Sequence, residues 1–150
     1  MTLSSGAAIL DWSGWVELEG SGASVAAGAM SDAASTECTS ANHEDAPLIE
    51  LAGEVTFGTA PTAGKTVSAH YKQNTIDGTA GHDAAAPTAT YKRQLGDPAV
   101  LAATTDPQYL HFGIAATPTK EFNVYTFNGE GTNAMTWKLY MRPVSTKPKA

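Results

Sequence analysis

The sequence predicts an all-β protein, an antiparallel β-sandwich or jelly roll of about eight strands joined by long loops. Three observations carry that expectation. Apolar and polar residues alternate with a period of two in several segments, which places successive side chains on opposite faces of a pleated strand. Turn formers such as Asn-Gly, Asp-Gly and Pro separate those segments. No segment carries the broad apolar stripe of a helix.

The clearest pair lies in residues 48–73. In the first strand Ile49, Leu51, Val55 and Phe57 share one face, while Glu50, Glu54 and Thr56 share the other. Residues 58–64 turn the chain, and in the return strand Val67, Ala69 and Tyr71 oppose Thr66, Ser68, His70 and Lys72. One dry and one wet face per strand is the pattern of an antiparallel sheet packed on a second layer.

An earlier strand is expected at residues 14–19, with Val16 and Leu18 opposite Trp15, Glu17 and Glu19. Residues 24–30 read as a weak strand of small side chains. A helix over 23–34 is the alternative on alanine content, but Gly28 interrupts it. Residues 31–46 read as loop, with Pro47 fixing the exit. Residues 73–88 hold Asp77-Gly78, Gly81 and Pro87 and read as a long exposed loop. A short strand follows at 90–95, broken by Gly96-Asp97-Pro98. In 108–115 Leu110, Phe112 and Ile114 oppose Tyr109 and His111. Residues 121–127 and 135–142 are the best hairpin candidate, with Met135, Trp137, Leu139 and Met141 on the dry face and Pro143 as its end. The chain of 150 residues is read as a single sandwich domain with an N-terminal arm of about residues 1–13 and a polar tail of about residues 144–150.

Charged residues are 16% of the chain, against about 25% in an ordinary soluble domain. The first 64 residues hold nine carboxylates and no Lys or Arg, and the remainder holds nine basic and six acidic residues. That distribution argues against nucleic-acid binding, which needs clustered cations to displace counterions from phosphates. The acidic half suits either a basic partner, including the basic half of a neighbouring copy, or a solvated surface. Cys38 is alone, so no internal disulfide is expected. Residues 1–6 have neither a cationic region nor a long apolar run and are not read as a secretory signal, so synthesis in a cytoplasm is expected. No stretch approaches the roughly 20 apolar residues of a membrane span.

No catalytic, cofactor or metal site is expected. His43-Glu44-Asp45 and His82-Asp83 place ligand types side by side, but without the spacing of a zinc site. Residues 77–83 are loosely calcium-like and read better as a polar turn. Glu17 with Glu19 and Glu50 with Glu54 are paired carboxylates, which in a glycosidase flank a cleft. Here alternate positions on a wet strand face explain them, either kept apart or matched to Lys138, Lys65 or Lys72. Gly-x-Ser-x-Gly is absent, so no serine is marked as a nucleophile. His70 and His111 read as surface or interface residues. Trp12 and Trp15 read as sugar-stacking or, for Trp15, subunit-packing residues, and Trp137 as core.

In its order of elements the chain resembles the capsid decoration (cement) proteins of tailed bacteriophages, which have jelly-roll folds. The likeness rests on Trp15-Val-Glu-Leu-Glu19 before Gly20-Ser-Gly-Ala-Ser-Val-Ala-Ala-Gly28, on Thr59-Ala-Pro-Thr-Ala-Gly-Lys-Thr-Val67, on Asp77-Gly78, and on Trp137-Lys-Leu-Tyr-Met-Arg-Pro143. An aromatic usual soon after the Asp-Gly turn is missing here. The resemblance implies a non-enzymatic virion structural protein, made in the host cytoplasm and sited on the capsid outer surface. It implies a homotrimer that bridges adjacent capsomers, with the major capsid protein as partner, no cofactor, and neither nucleic acid nor membrane bound. Under it, residues 2–15 and 20–47 are the expected contacts, with Leu3, Ile9, Leu10, Trp12, Trp15, Val25 and Met30 as the contact side chains. The alternative is a glycan- or receptor-binding sandwich on a virion appendage.

Overall fold

The computed structural model describes residues 8–19, 24–31 and 37–148. Within them run β1 (Ala8–Trp12), β2 (Val16–Glu19), β3 (Ser24–Val25), α1 (Ser40–His43), β4 (Leu48–Phe57), β5 (Thr66–Gln73), β6 (Gln94–Val100), β7 (Gln108–Ala116), β8 (Phe122–Asn128) and β9 (Met135–Pro148). All the strand pairs are antiparallel.

The large sheet is organised around β9. One edge of β9 pairs with β4, and β4 pairs in turn with β7. The other edge of β9 takes β1, β2 and β3 in succession. The small sheet has the order β6-β5-β8. Its β8 edge is extended by bridges from Met30 to Phe127 and from Cys38 to Phe122. Counting β1, β2 and β3 as one interrupted strand and the bridges at Met30 and Cys38 as another, the large sheet reads first-eighth-third-sixth and the small sheet second-seventh-fourth-fifth. That is jelly-roll connectivity, one of the two arrangements the alternating pattern allowed.

The core lies between the sheets. Met135, Trp137, Leu139 and Met141 of β9 meet Ile49, Leu51, Val55 and Phe57 of β4, with Phe112 of β7 beside them in the same sheet and Val67, Phe122 and Val124 of the small sheet opposite. Each such side chain contributes about 1.5–3 kcal/mol by leaving water. The hairpin expected from residues 121–142 does not form, because β8 pairs with β5 in the small sheet and β9 with β4 in the large one. Asn128 and Glu130 are buried where the chain crosses between the sheets. The Glu130 carboxylate accepts from the Thr62 and Thr132 amides at 2.8 and 2.9 Å, which ties two loops together. Those amide donors hold its carboxyl below the ordinary range.

Several elements differ from the expectation. Residues 8–12, read as part of an arm, form β1, and 144–148, read as tail, continue β9. Pro143 does not end β9. Its carbonyl accepts from the Ser13 amide at 3.1 Å. Its nitrogen therefore faces the link between β1 and β2, where no ladder bond is lost. Nor does Gly96-Asp97-Pro98 break a strand; it lies inside β6. Ala69 pairs with Leu95 and Val67 with Ala99, so residues 96–98 bulge opposite Ser68 alone. A bulge on an edge strand is where proline is tolerated. The strand expected at 24–30 shortens to β3, because Gly28 turns the chain at φ 65°. The segment read as loop at 31–46 contains α1, capped by Thr39. Ile114 leaves the dry face and is 44% exposed. The β4–β7 register shifts between Leu51 and Ala52, and Gly113 takes φ 83° beside the extra residue.

At the corner where β6 meets β7, Gly96 has φ 74° and a Cβ there would stand 2.2 Å from the Phe112 carbonyl oxygen. Gly96→Ala is expected to destabilise the protein by roughly 1–3 kcal/mol, through left-handed strain and the backbone clash. Gly58→Ala, with open space and no positive φ, is expected to leave the thermal midpoint nearly unchanged. Denaturant titrations of both variants check this.

Candidate binding face

Cross-strand partners share a sheet face, so the register fixes what the large sheet shows to solvent. Trp12 lies opposite Val144, Arg142 opposite Glu50, Glu50 opposite Ile114, Ala52 opposite His111, and Glu54 between Lys138 and Tyr109. All these side chains occupy the face turned away from Trp137 and Leu139. It is an open face. Trp12 is 43%, Trp15 45% and Tyr109 80% exposed.

At its centre Glu50 is clamped. Arg142 Nε donates to Glu50 Oε2 at 2.5 Å, and His111 Nε2 lies 2.7 Å from Glu50 Oε1. Burial alone pushes the Glu50 carboxyl up, but the hydrogen bonds from Arg142 and His111 outweigh it and hold the group below its ordinary range. The Trp15 and Trp12 rings lie 4.6 and 5.8 Å from the Arg142 guanidinium carbon, cation–π contacts that lock the cation from the other side. Two rows along, Lys138 meets Glu54 at 3.3 Å, a pairing the sequence offered among three. Lys72 instead bonds Asp83 at 2.7 Å. Glu17 and Glu54 are kept apart by β9, as repulsion between like charges requires.

Beyond Val144 the large sheet narrows. Leu48 is the last β4 residue paired with β9, and 145–148 pair with β1 alone. Residues 8–11 and 145–148 thus form a two-stranded ribbon overhanging the sandwich, braced by Lys147 on Asp11 at 2.5 Å. Among the described residues both of its edges lack a ladder partner.

The expected contact residues fall into three groups. Leu10, Trp12 and Trp15 are exposed and Ile9 is half-buried, gathered at the ribbon and its root. Val25 and Met30 are core residues, 2% and 9% exposed. Val25 pairs with the inward-facing Met135 and Met30 bridges to β8, so neither is available to a partner. Leu3 lies outside the described residues. Arg142 was not singled out by the sequence, because its neighbours come from strands distant in the chain.

The histidines are placed individually. His43 is buried, stacks on Phe122 and bonds the Lys120 carbonyl at 2.8 Å, while Glu44 and Asp45 turn outward. His82 bonds Asp77 at 2.8 Å within a polar turn. Among the described residues no three metal-ligand side chains converge. His70, expected at the surface, is 1% exposed. It lies on the outer face of the small sheet beside Ser68, whose hydroxyl is 2.8 Å from His70 Nε2. The segment before β6 crosses over it: the Arg93 carbonyl accepts from the Tyr71 amide at 2.9 Å, and Lys92 Nζ sits 3.2 Å from the Phe127 ring centre. Of the run Ala84-Ala85-Ala86-Pro87 only Pro87 is buried, so the composition of this loop gave little sign that it covers the sheet.

Comparisons with known proteins add little to this geometry. No family model and no curated protein matches the chain. Among solved structures, a chain from the structure of infectious bursal disease virus Gt strain is similar at 13% identity and a TM-score of 0.34. The alignment covers 98% of this chain and 39% of that one. No helix among the described residues is long and apolar enough to cross a membrane.

Burial, and then the nearby Lys92 charge, push the His70 imidazole down from 6.5 to about 4. The unfolded chain therefore binds more protons than the folded one between those values. His70 contributes stability that is complete above pH 6.5 and is lost as pH falls to about 4. Glu50, with its lowered value, adds a further loss below 4.5. Thermal midpoints measured from pH 8 to pH 3 are expected to fall through this window, and His70→Gln is expected to flatten the part between 6.5 and 4.

Proposed function

We propose that this chain is a non-enzymatic structural protein of a virion that decorates an icosahedral bacteriophage shell and ties adjacent capsomers together. The observation that carries the reading is the overhanging ribbon of β1 with the end of β9, unpaired on both edges among the described residues. Two strands alone are marginal in water, and open edges recruit a further strand. Strand addition from the major capsid protein would satisfy those groups, with main-chain hydrogen bonds supplying affinity and Leu10 and Ile9 supplying side-chain contact. The jelly-roll connectivity supports it by analogy, since capsid proteins are among the users of that architecture. The sequence resemblance to cement proteins supports it independently. A homotrimer over a three-fold point would place three such ribbons across the seams between capsomers. Because only the closed shell presents all the sites together, binding stabilises the assembled form by mass action.

The test is sedimentation with purified shells of the virus that encodes the chain, followed by thermal disruption of the loaded shells. The protein is expected to co-sediment and to raise the disruption temperature, and Leu10→Asp is expected to weaken binding by roughly tenfold or more. Shells that take up no protein at saturating concentration would remove the proposal. Equal uptake of wild type and Leu10→Asp would move the contact away from the ribbon.

A further inference from the structure

The face of the large sheet is a surface of another kind from the ribbon's edges, and it has its own chemistry. Trp15 and Trp12 flank one guanidinium, at 4.6 and 5.8 Å from the Arg142 carbon. Arg142 spends its Nε on Glu50 at 2.5 Å. A guanidinium has further N–H donors on its terminal nitrogens. Glu50 is also bonded to His111, whose ring is 60% exposed. Across the sheet Tyr109 stands outward with 80% of its surface free. Four strands at about 4.8 Å spacing make this platform roughly 15 Å wide.

That composition selects the occupant. An ionic ligand finds the central charges already matched, Glu50 by Arg142 and Glu54 by Lys138. A dry protein surface would strip water from both ion pairs and return no hydrogen bonds, which opposes docking. A neutral sugar ring suits both features. Its C–H face lies flat on an indole, and its rim hydroxyls donate to carboxylate oxygens and accept from guanidinium and imidazole N–H groups. Glu17 shares the Lys138 charge with Glu54 and leaves this side slightly negative, which disfavours acidic sugars.

We infer that the outer face of the large sheet binds a neutral oligosaccharide. Trp15 and Trp12 are the stacking surfaces, Arg142, Glu50 and His111 orient the hydroxyls, and Tyr109 receives the far end of the chain. This goes beyond shell decoration and does not depend on it. Strand addition acts in the plane of the sheet, so a molecule held by its ribbon keeps this face free.

The probe is an array of neutral oligomers of glucose, galactose, mannose and N-acetylglucosamine, with sialylated and uronate-bearing counterparts, followed by titration of the hits. Wild-type protein is expected to bind neutral members selectively. Trp15→Ala is expected to weaken the hit roughly tenfold, the scale of one lost aromatic platform. Because Trp15 also braces Arg142, Tyr109→Ala serves as the second variant. Tyr109 is too exposed to matter for folding, and its loss is expected to weaken only the longer oligomers. Absence of any glycan binding, binding confined to acidic glycans, or neutral binding untouched by either variant would overturn the inference. Concentration-dependent dimerisation abolished by Trp15→Ala, without glycan binding, would overturn it in favour of a second copy on this face. Shell sedimentation of Trp15→Ala separates the two activities: uptake is expected to be retained when sugar binding is lost.

Discussion

The structure depends on the pairing of β9 with β4. Ten consecutive residue pairs run from Leu48–Val144 to Phe57–Met135 without a shift in register. Side chains alternate along both strands, so a slip of one residue would carry Trp137, Leu139 and Met141 into water and Arg142 and Lys138 into the core. That penalty fixes the register. Once it is fixed, Glu50 must stand beside Arg142 and Glu54 beside Lys138 on the far side of the sheet. The outward ion pairs are consequences of inward packing.

The two sheets treat their outer faces differently. Over the small sheet, the segment ending at Arg93 lays Lys92 on Phe127, and His70, Ser68 and Tyr125 are buried beneath. An imidazole deprived of water there stays neutral. Over the large sheet no comparable strap exists among the described residues, and Trp12, Trp15 and Tyr109 remain in contact with solvent. The difference matters because a sheet covered on both sides has only its edges and loops to offer. One bare aromatic face on a rigid frame is a surface with preset geometry, where the cost of ordering side chains on binding is already met by Glu50 and Arg142.

Much of the architecture was legible in the sequence. Period-two alternation located β4, β5, β7, β8 and most of β9, and their inward residues matched the core except at Ile114 and among the polar residues of β5. What the sequence hid was decided by partners far along the chain. Pro143 and Pro98 read as strand ends because a proline lacks a ladder donor. One faces a gap between β1 and β2, and the other sits in a bulge. His70 read as wet from its parity, which is correct for the sheet face but blind to the loop that covers it. The binding face was half visible. Trp12 and Trp15 stood out by type, while Arg142, Glu50 and His111 come from three strands whose order no local pattern reveals.

The ribbon also has a mechanical meaning. Ala8 lies opposite Pro148 and Trp12 opposite Val144, so tension drawing Ala8 and Pro148 apart breaks this ladder one rung at a time, like a zip. A third strand laid beside either edge and tugged along its own axis would instead load every rung at once. The same few residues are thus weak against peeling and strong against sliding, and the direction of an applied force decides which property is felt.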